Sequence, residues 1–320
     1  MNRALTVCLL LTLTSVVYCQ YDDSGPGYQL TLFSNPGLTG TEGPGCLRLS
    51  YLNFYPGNSF DLHAFNVSYD SYFQGLHGGG GLFISNDNLG GIINNIKGGL
   101  SYSYHFQAGR NFYISAGLSA SMYHRGYDFS GAVLPDQIDP LRGVVYPSGE
   151  IPDGRGKSVL DLATGFVFMS GRFFWGISVN HLTEPDPGYS EHGESRLKRK
   201  FLFHLAGDFD VSKEKNLKIR PLFQYEIQEN YSSLGAGAVL ESPYISIGSV
   251  ILYSDRKNMD LQAGVSILTG NVTFFYNYRF NIMSGNSLLP VSLLHHAGIT
   301  VSLNDVEKRK VIKTINFPKL

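Results

Sequence analysis

The sequence predicts an all-β chain, a transmembrane up-and-down antiparallel β-barrel of about fourteen strands, with a non-strand segment ahead of the barrel and a short tail behind it. Three observations carry that prediction. Apolar side chains recur at every second position through most of the chain, helical periodicity is hard to find, and the connections between the marked segments alternate in length in phase with the strand count. Composition sets the frame: of 320 residues 43% are hydrophobic and only 16% charged, with 37 Gly, 20 Tyr and 21 Phe. So much apolar surface excludes a disordered chain. A net charge of -1 argues against a protein built to grip phosphate backbones, so no nucleic-acid partner is expected.

The N-terminus reads as an export signal over residues 1–19. Arg3 supplies the positive charge, residues 5–17 a largely apolar run, and Val17-Tyr18-Cys19 a cleavage site, while the bulk of Tyr18 fits a lipidation site poorly. Cys8 and Cys19 fall inside the signal, which leaves Cys46 alone and excludes an internal disulfide. Residues 20–44 carry no strand pattern and read as a periplasmic or plug-like segment; residues 45–303 form the barrel, and residues 304–320 a basic tail that strand parity places in the periplasm.

Strands are expected near residues 45–56, 60–73, 78–87, 95–107, 110–125, 158–169, 172–182, 198–211, 216–228, 232–241, 244–254, 258–268, 271–282 and 291–303. The number is even, as closure of a bacterial up-and-down barrel requires. In the fourth, Leu100, Tyr102, Tyr104 and Phe106 alternate with Ser101, Ser103 and His105; in the fifth, Phe112, Ile114, Ala116, Leu118 and Met122 alternate with Ser115, Gly117, Ser119 and Ser121. The seventh sets Phe173, Trp175, Ile177 and Val179 against Gly176, Ser178 and Asn180, and the thirteenth sets Val272, Phe274, Tyr276, Tyr278 and Phe280 against Thr273, Asn277 and Arg279. A soluble sandwich also alternates, but its hidden face is aliphatic and its turns are similar at both ends. Here the second face is Gly- and Ser-rich with occasional Asp, Arg and His, which suits a polar lumen. Connections such as Ala108-Gly109, Ser170-Gly171, Ser242-Pro243 and Thr269-Gly270 are short, whereas 126–157, 183–197 and 283–290 are long and fall at the other end.

The run "LHGGGGLFISNDNLGG" at residues 76–91 could be mistaken for a phosphate loop, but no Gly-Lys-Ser/Thr opens a helix there, and Leu82-Phe83-Ile84 continue as a strand. Gly75, Gly78 and Gly79 are expected in the turn before that strand, with Gly80 and Gly81 letting it bend or letting a plug segment approach closely. A hydrolase needs a nucleophile, a base and an orienting group in one place. His204 and Asp208 share a face but lie about 13 Å apart along a strand. His295 and His296 point to opposite faces and cannot readily share a metal. No enzyme activity, cofactor or metal site is expected.

Several stretches carry a family likeness. "FSNPGLTGTEG", "LSYLNFYPG", "VSYDSYF", "LHGGGGLFISNDNLGG" and "LSYSYHF" occur in one order, and the chain closes on "INFPKL". Together they resemble the PorP/SprF family of type IX secretion system outer-membrane proteins of Bacteroidetes. The likeness is dense over residues 28–107, weaker but in register over 108–303, and returns at the tail; the opening Gln20 to Ser24 departs from the family's Asp-Pro-rich start. It implies an outer-membrane barrel that assists secretion or cell-surface anchoring of cargo bearing a C-terminal sorting domain, adhesins of gliding motility among them. Implied partners are that cargo, outer-membrane lipid, a periplasmic peptidoglycan-binding lipoprotein and the secretion motor complex. On this reading the cargo-facing loops carry Tyr127, Asp128, Tyr146, Asp186, Tyr189 and His192, and periplasmic docking falls to Asn35, Pro36, Lys308, Arg309, Lys310, Lys313, Pro318 and Lys319. The alternative function is an outer-membrane diffusion channel or solute transporter. Against it stand lumen charges, Arg48, Asp161, Asp208, Lys218, Arg220, Glu226, Asp260 and Arg279, that are mixed in sign and form no ring.

Overall fold

The computed structural model describes residues 30–43, 45–57, 62–129, 135–139, 143–144, 156–188, 195–214, 216–284 and 292–303. The expected signal over 1–19 and the expected tail over 304–320 lie outside them.

Strict two-residue periodicity gives each segment one lipid-facing and one lumen-facing edge, and closing the sheet on itself leaves no backbone group unpaired in hydrocarbon. The chain does this with fourteen antiparallel strands: β1 (Gly45–Phe54), β2 (Leu62–Phe73), β3 (Gly78–Leu89), β4 (Ile93–Gly109), β5 (Phe112–Tyr127), β6 (Lys157–Ser170), β7 (Phe173–Asn180), β8 (Lys200–Gly207, resuming as Phe209–Ser212), β9 (Leu217–Gln228), β10 (Tyr231–Glu241), β11 (Ile245–Ser254), β12 (Met259–Thr269), β13 (Val272–Met283) and β14 (Ser292–Leu303). Each pairs with its sequence neighbours, and β1 closes on β14 with Gly45 opposite Leu303 and Phe54 opposite Leu294. A two-stranded ladder, Ile138–Asp139 with Gly143–Val144, decorates the connection after β5.

The turns are short at the end where β1 begins and β14 finishes, as at the inner end of an outer-membrane barrel. Two of them are two-residue hairpins that start with a positive φ, Gly171 at 61° and Gly270 at 58°, where a residue without Cβ is least strained. The longest connections, after β5, β7 and β13, all lie at the outer end. One sequence expectation is corrected here. Gly78 and Gly79 do not turn the chain; they already belong to β3, and the turn is Gln74–Leu76 with His77 in the left-handed region.

The two faces separate as the alternation demands. Leu100 is 68% and Leu118 64% exposed, and Leu82, Ile84, Ile247 and Phe274 share the outward face. Such a belt would be an aggregation hazard in water and is the expected lipid contact of a membrane barrel. Inward, Ser68, Ser101, Ser103, Ser115, Ser178, Asn277 and His296 are buried. Polar side chains become buried in a barrel lumen only when something fills it.

Candidate functional site, a lumen occupied by the N-terminal segment

The filling is residues 30–43. A short helix α1 (Thr31–Ser34) leads into a single 3-10 turn (Pro36–Leu38). Asn35 joins them: its backbone N–H caps the helix through the Thr31 carbonyl, and its side-chain Oδ1 accepts the Gly37 N–H at 2.8 Å. Pro36 follows at the first position of the turn, where a missing N–H does least harm.

From Ser34 to Gly43 the segment steps round the wall strand by strand. The Ser34 carbonyl accepts from Ser178 Oγ of β7 at 2.6 Å. Asn35 Nδ2 reaches the Phe166 carbonyl of β6 at 3.3 Å, the Ile177 carbonyl of β7 at 3.4 Å and His204 Nε2 of β8 at 3.0 Å. The Gly37 carbonyl accepts from Ser115 Oγ of β5, and the Thr39 carbonyl from Ser103 Oγ of β4, both at 2.6 Å. The Gly40 N–H donates to Asp70 Oδ2 of β2 at 2.6 Å, and the Gly43 carbonyl accepts the Tyr72 N–H. Arg48 of β1 then clamps the base, donating to Asp70 and, at 2.7 Å, to Glu42.

Small wall residues make this approach sterically feasible. A Cβ on Gly117 would overlap the Pro36 carbonyl, one on Gly165 the Asn35 side chain, and one on Gly79 the Thr39 carbonyl. The glycine run of β3 therefore gives the plug room, as expected of that strand, but through Gly79 and Gly81, which meets Leu32; Gly80 faces outward beside Phe73.

Apolar contacts complete the closure. Leu30 packs with Leu52, Phe54, Ala64 and Leu294, and Phe33 meets Phe83 edge to face at 5.0 Å. Leu38 joins an inward cluster with Tyr113, Val167, Phe174, Leu222, Val239 and Val250. Burying one such leucine contributes about 1.5–3 kcal/mol. Among the described residues, one recess lies toward each end. The outer one is lined by Leu30, Phe33, Lys97, His181, Lys200 and Glu226; the inner one, about 290 Å³, by Arg220, Glu241, Ser246, Ser266 and Thr273. Between them Val239, Val250, Gln262, Asn277 and His296 are each 1% exposed or less, so the wall side chains close the bore.

Most of the named lumen charges form pairs, while Arg279 donates to Gln262 and Asp260 accepts from Asn281. Lys97 and His181 reach Asp161 at 3.2 and 2.9 Å, Lys200 reaches Glu226 at 3.1 Å, and Arg220 reaches Glu241 at 2.6 Å. His204, weighed earlier as a catalytic base beside Asp208, is a plug ligand, while Asp208 pairs with Lys218 at 3.4 Å. Among the described residues, no group of three or more His, Cys, Asp or Glu could hold a metal.

The expected docking pair Asn35-Pro36 is corrected: both are buried in the lumen, Asn35 at 0% exposure, because the carboxamide satisfies wall carbonyls and the proline seats against Gly117. Neither offers a periplasmic surface. Tyr127 ends β5 and stacks on Phe129 at 6.1 Å, while the Asp128 N–H holds the Ile92 carbonyl. Asp186 lies beyond β7, where its Oδ1 accepts the Gly188 N–H at 2.9 Å. Tyr146, Tyr189, His192, Lys308, Arg309, Lys310, Lys313, Pro318 and Lys319 fall outside the described residues. Sequence reasoning missed the plug ligands Ser103, Ser115, Ser178, His204 and Asp70; the signal on offer was Gly and Ser at consecutive inward positions.

Known proteins bear on this geometry in two ways. The model of the family described as type IX secretion system membrane protein PorP/SprF matches residues 26–291. The Ralstonia pickettii toluene transporter TbuX is similar in structure (TM-score 0.52, 10% identity, covering 88% of this chain and 95% of that one). So are a TodX deltaS2S3 mutant monoaromatic hydrocarbon channel (0.53, 10%, 86% and 94%) and the CymD monoaromatic hydrocarbon channel (0.51, 10%, 88% and 94%). At such identities the likeness establishes the barrel fold alone. No curated protein matches the chain.

Proposed function

The chain belongs to the PorP/SprF family of type IX secretion system membrane proteins, and from that premise we propose that it is a platform for secretion or cell-surface anchoring of cargo bearing a C-terminal sorting domain, adhesins of gliding motility included. Its outer loops meet cargo, and its periplasmic side meets a peptidoglycan-binding lipoprotein and, through it, the secretion motor complex. The observation that carries this reading is the occupied lumen: with residues 30–43 bonded to the wall and the inward side chains of β10 to β14 packed across the bore, the working parts are the ends and outer surfaces of the barrel. A diffusion channel would need both the plug and those side chains moved.

Deleting residues 304–320, with Lys308, Arg309, Lys310, Lys313, Pro318 and Lys319, is expected to leave the barrel in the outer membrane while cargo display on intact cells falls. Undiminished display would remove the docking role. Purified protein in planar bilayers is expected to stay near baseline; large steady currents would favour the channel instead.

A further inference from the structure

The lipid-facing wall is not uniformly convex. Across β2 to β6 it carries a groove of about 710 Å³. Its axis follows one row of paired residues, Tyr69 on β2, Leu82 on β3, Leu100 on β4, Ala120 on β5 and Leu162 on β6, and Leu182 extends the row by donating its N–H to the Leu162 carbonyl. The depression exists because this row has a small side chain at Ala120 and the next row has only Gly80 between Ser71 and Tyr102. Leu118 and Phe73 stand as shoulders. The ladders of β3 with β2 and with β4 run unbroken from Gly78 to Leu89, so the groove is a surface feature and opens nowhere into the lumen.

We propose that this groove holds one acyl chain of a membrane lipid as a resident ligand. The groove is continuous with the lipid-facing belt, since Leu82, Leu100 and Leu118 are among its exposed apolar residues. Among the described residues no charged one lines it, and the Tyr102 hydroxyl is already donated to the Leu76 carbonyl at 2.8 Å. A protein partner would be placed by directional polar groups; a methylene chain needs none. Six adjacent chain segments at about 4.8 Å spacing give a length of about 24 Å, and barrel tilt turns that row obliquely across the hydrocarbon, in the way a bent acyl chain lies. A concave seat offers such a chain contacts on three sides where a convex wall offers one, and dispersion contacts accumulate accordingly.

Native mass spectrometry of the full-length protein, extracted from its membrane in mild detergent, tests this. The wild type is expected to retain one diacyl lipid. Ala120→Trp and the milder Ala120→Leu fill the seat and are expected to lower the retained fraction, the larger side chain by about fivefold or more. Ile247→Trp, on the lipid face of β11 away from the groove, leaves retention unchanged. Heat-modified gel mobility verifies that each variant is folded. Equal retention in all four proteins, no retained lipid in the wild type, or a polypeptide in place of the lipid would each overturn the proposal.

Discussion

The same fourteen strands present two surfaces that obey opposite rules. Outside, Leu100 and Leu118 stand exposed; inside, Ser103, Ser115 and Ser178 are buried and each holds a backbone carbonyl of the plug. Burial of polar side chains is tolerable only where every donor finds an acceptor, and here the irregular backbone of residues 34–43 supplies the acceptors. The contrast teaches that the lumen is the specified core of this protein, while the outer wall, apart from the groove across β2 to β6, is a surface matched to its solvent. Each net wall-to-plug hydrogen bond contributes about 1 kcal/mol, so the closure rests on many modest terms with one strong clamp at its base.

That contrast can be broken from either side. Arg48→Ala leaves Asp70 and Glu42 buried against the plug without their cation, and a loss of about 3–5 kcal/mol is expected in urea unfolding from lipid vesicles. Leu118→Arg attacks the other face, placing a charge against lipid, with an expected loss of up to about 2–4 kcal/mol by the same measurement. A loss near zero for Leu118→Arg would mean that this stretch of wall is not in lipid. Asn35→Ala removes the amide that serves two wall carbonyls and His204, at about 1–3 kcal/mol, and sharpens the comparison because the wall itself is untouched. Bilayer recordings of that variant are expected to stay near baseline, because the inward side chains of β10 to β14 still close the bore.

Alternation made the outer face legible residue by residue: Tyr102, Tyr104, Phe106 and Phe274 all lie where their period put them. The strand count followed from the same signal. Its failures are local. The eighth strand reads as continuous over 198–211, yet the ladder breaks at Asp208, whose N–H turns to the Arg172 carbonyl while its carboxylate meets Lys218 and Arg220. The plug was legible only as a segment without periodicity. Its seat depends on contacts between residues far apart in sequence, Asn35 with His204 or Gly37 with Gly117, and irregular backbone leaves no repeating trace of such partners. Hence Asn35 and Pro36 read as exposed when they are among the most enclosed residues of the chain.

The seam between β1 and β14 has a consequence in time. It pairs Gly45 with Leu303, the most distant contact along the barrel and so the slowest to find. Every hydrogen bond described between the plug and the wall lies on β1 to β8, and the later strands add only apolar contacts, those of Leu38's cluster and of Leu294 with Leu30. The first eight strands can thus curl around residues 30–43 as a mould around a casting, and the final six zip shut over a space already full. A barrel assembled in that order never passes through a hollow stage, and the cell is spared an unguarded hole in its envelope while the protein is being made.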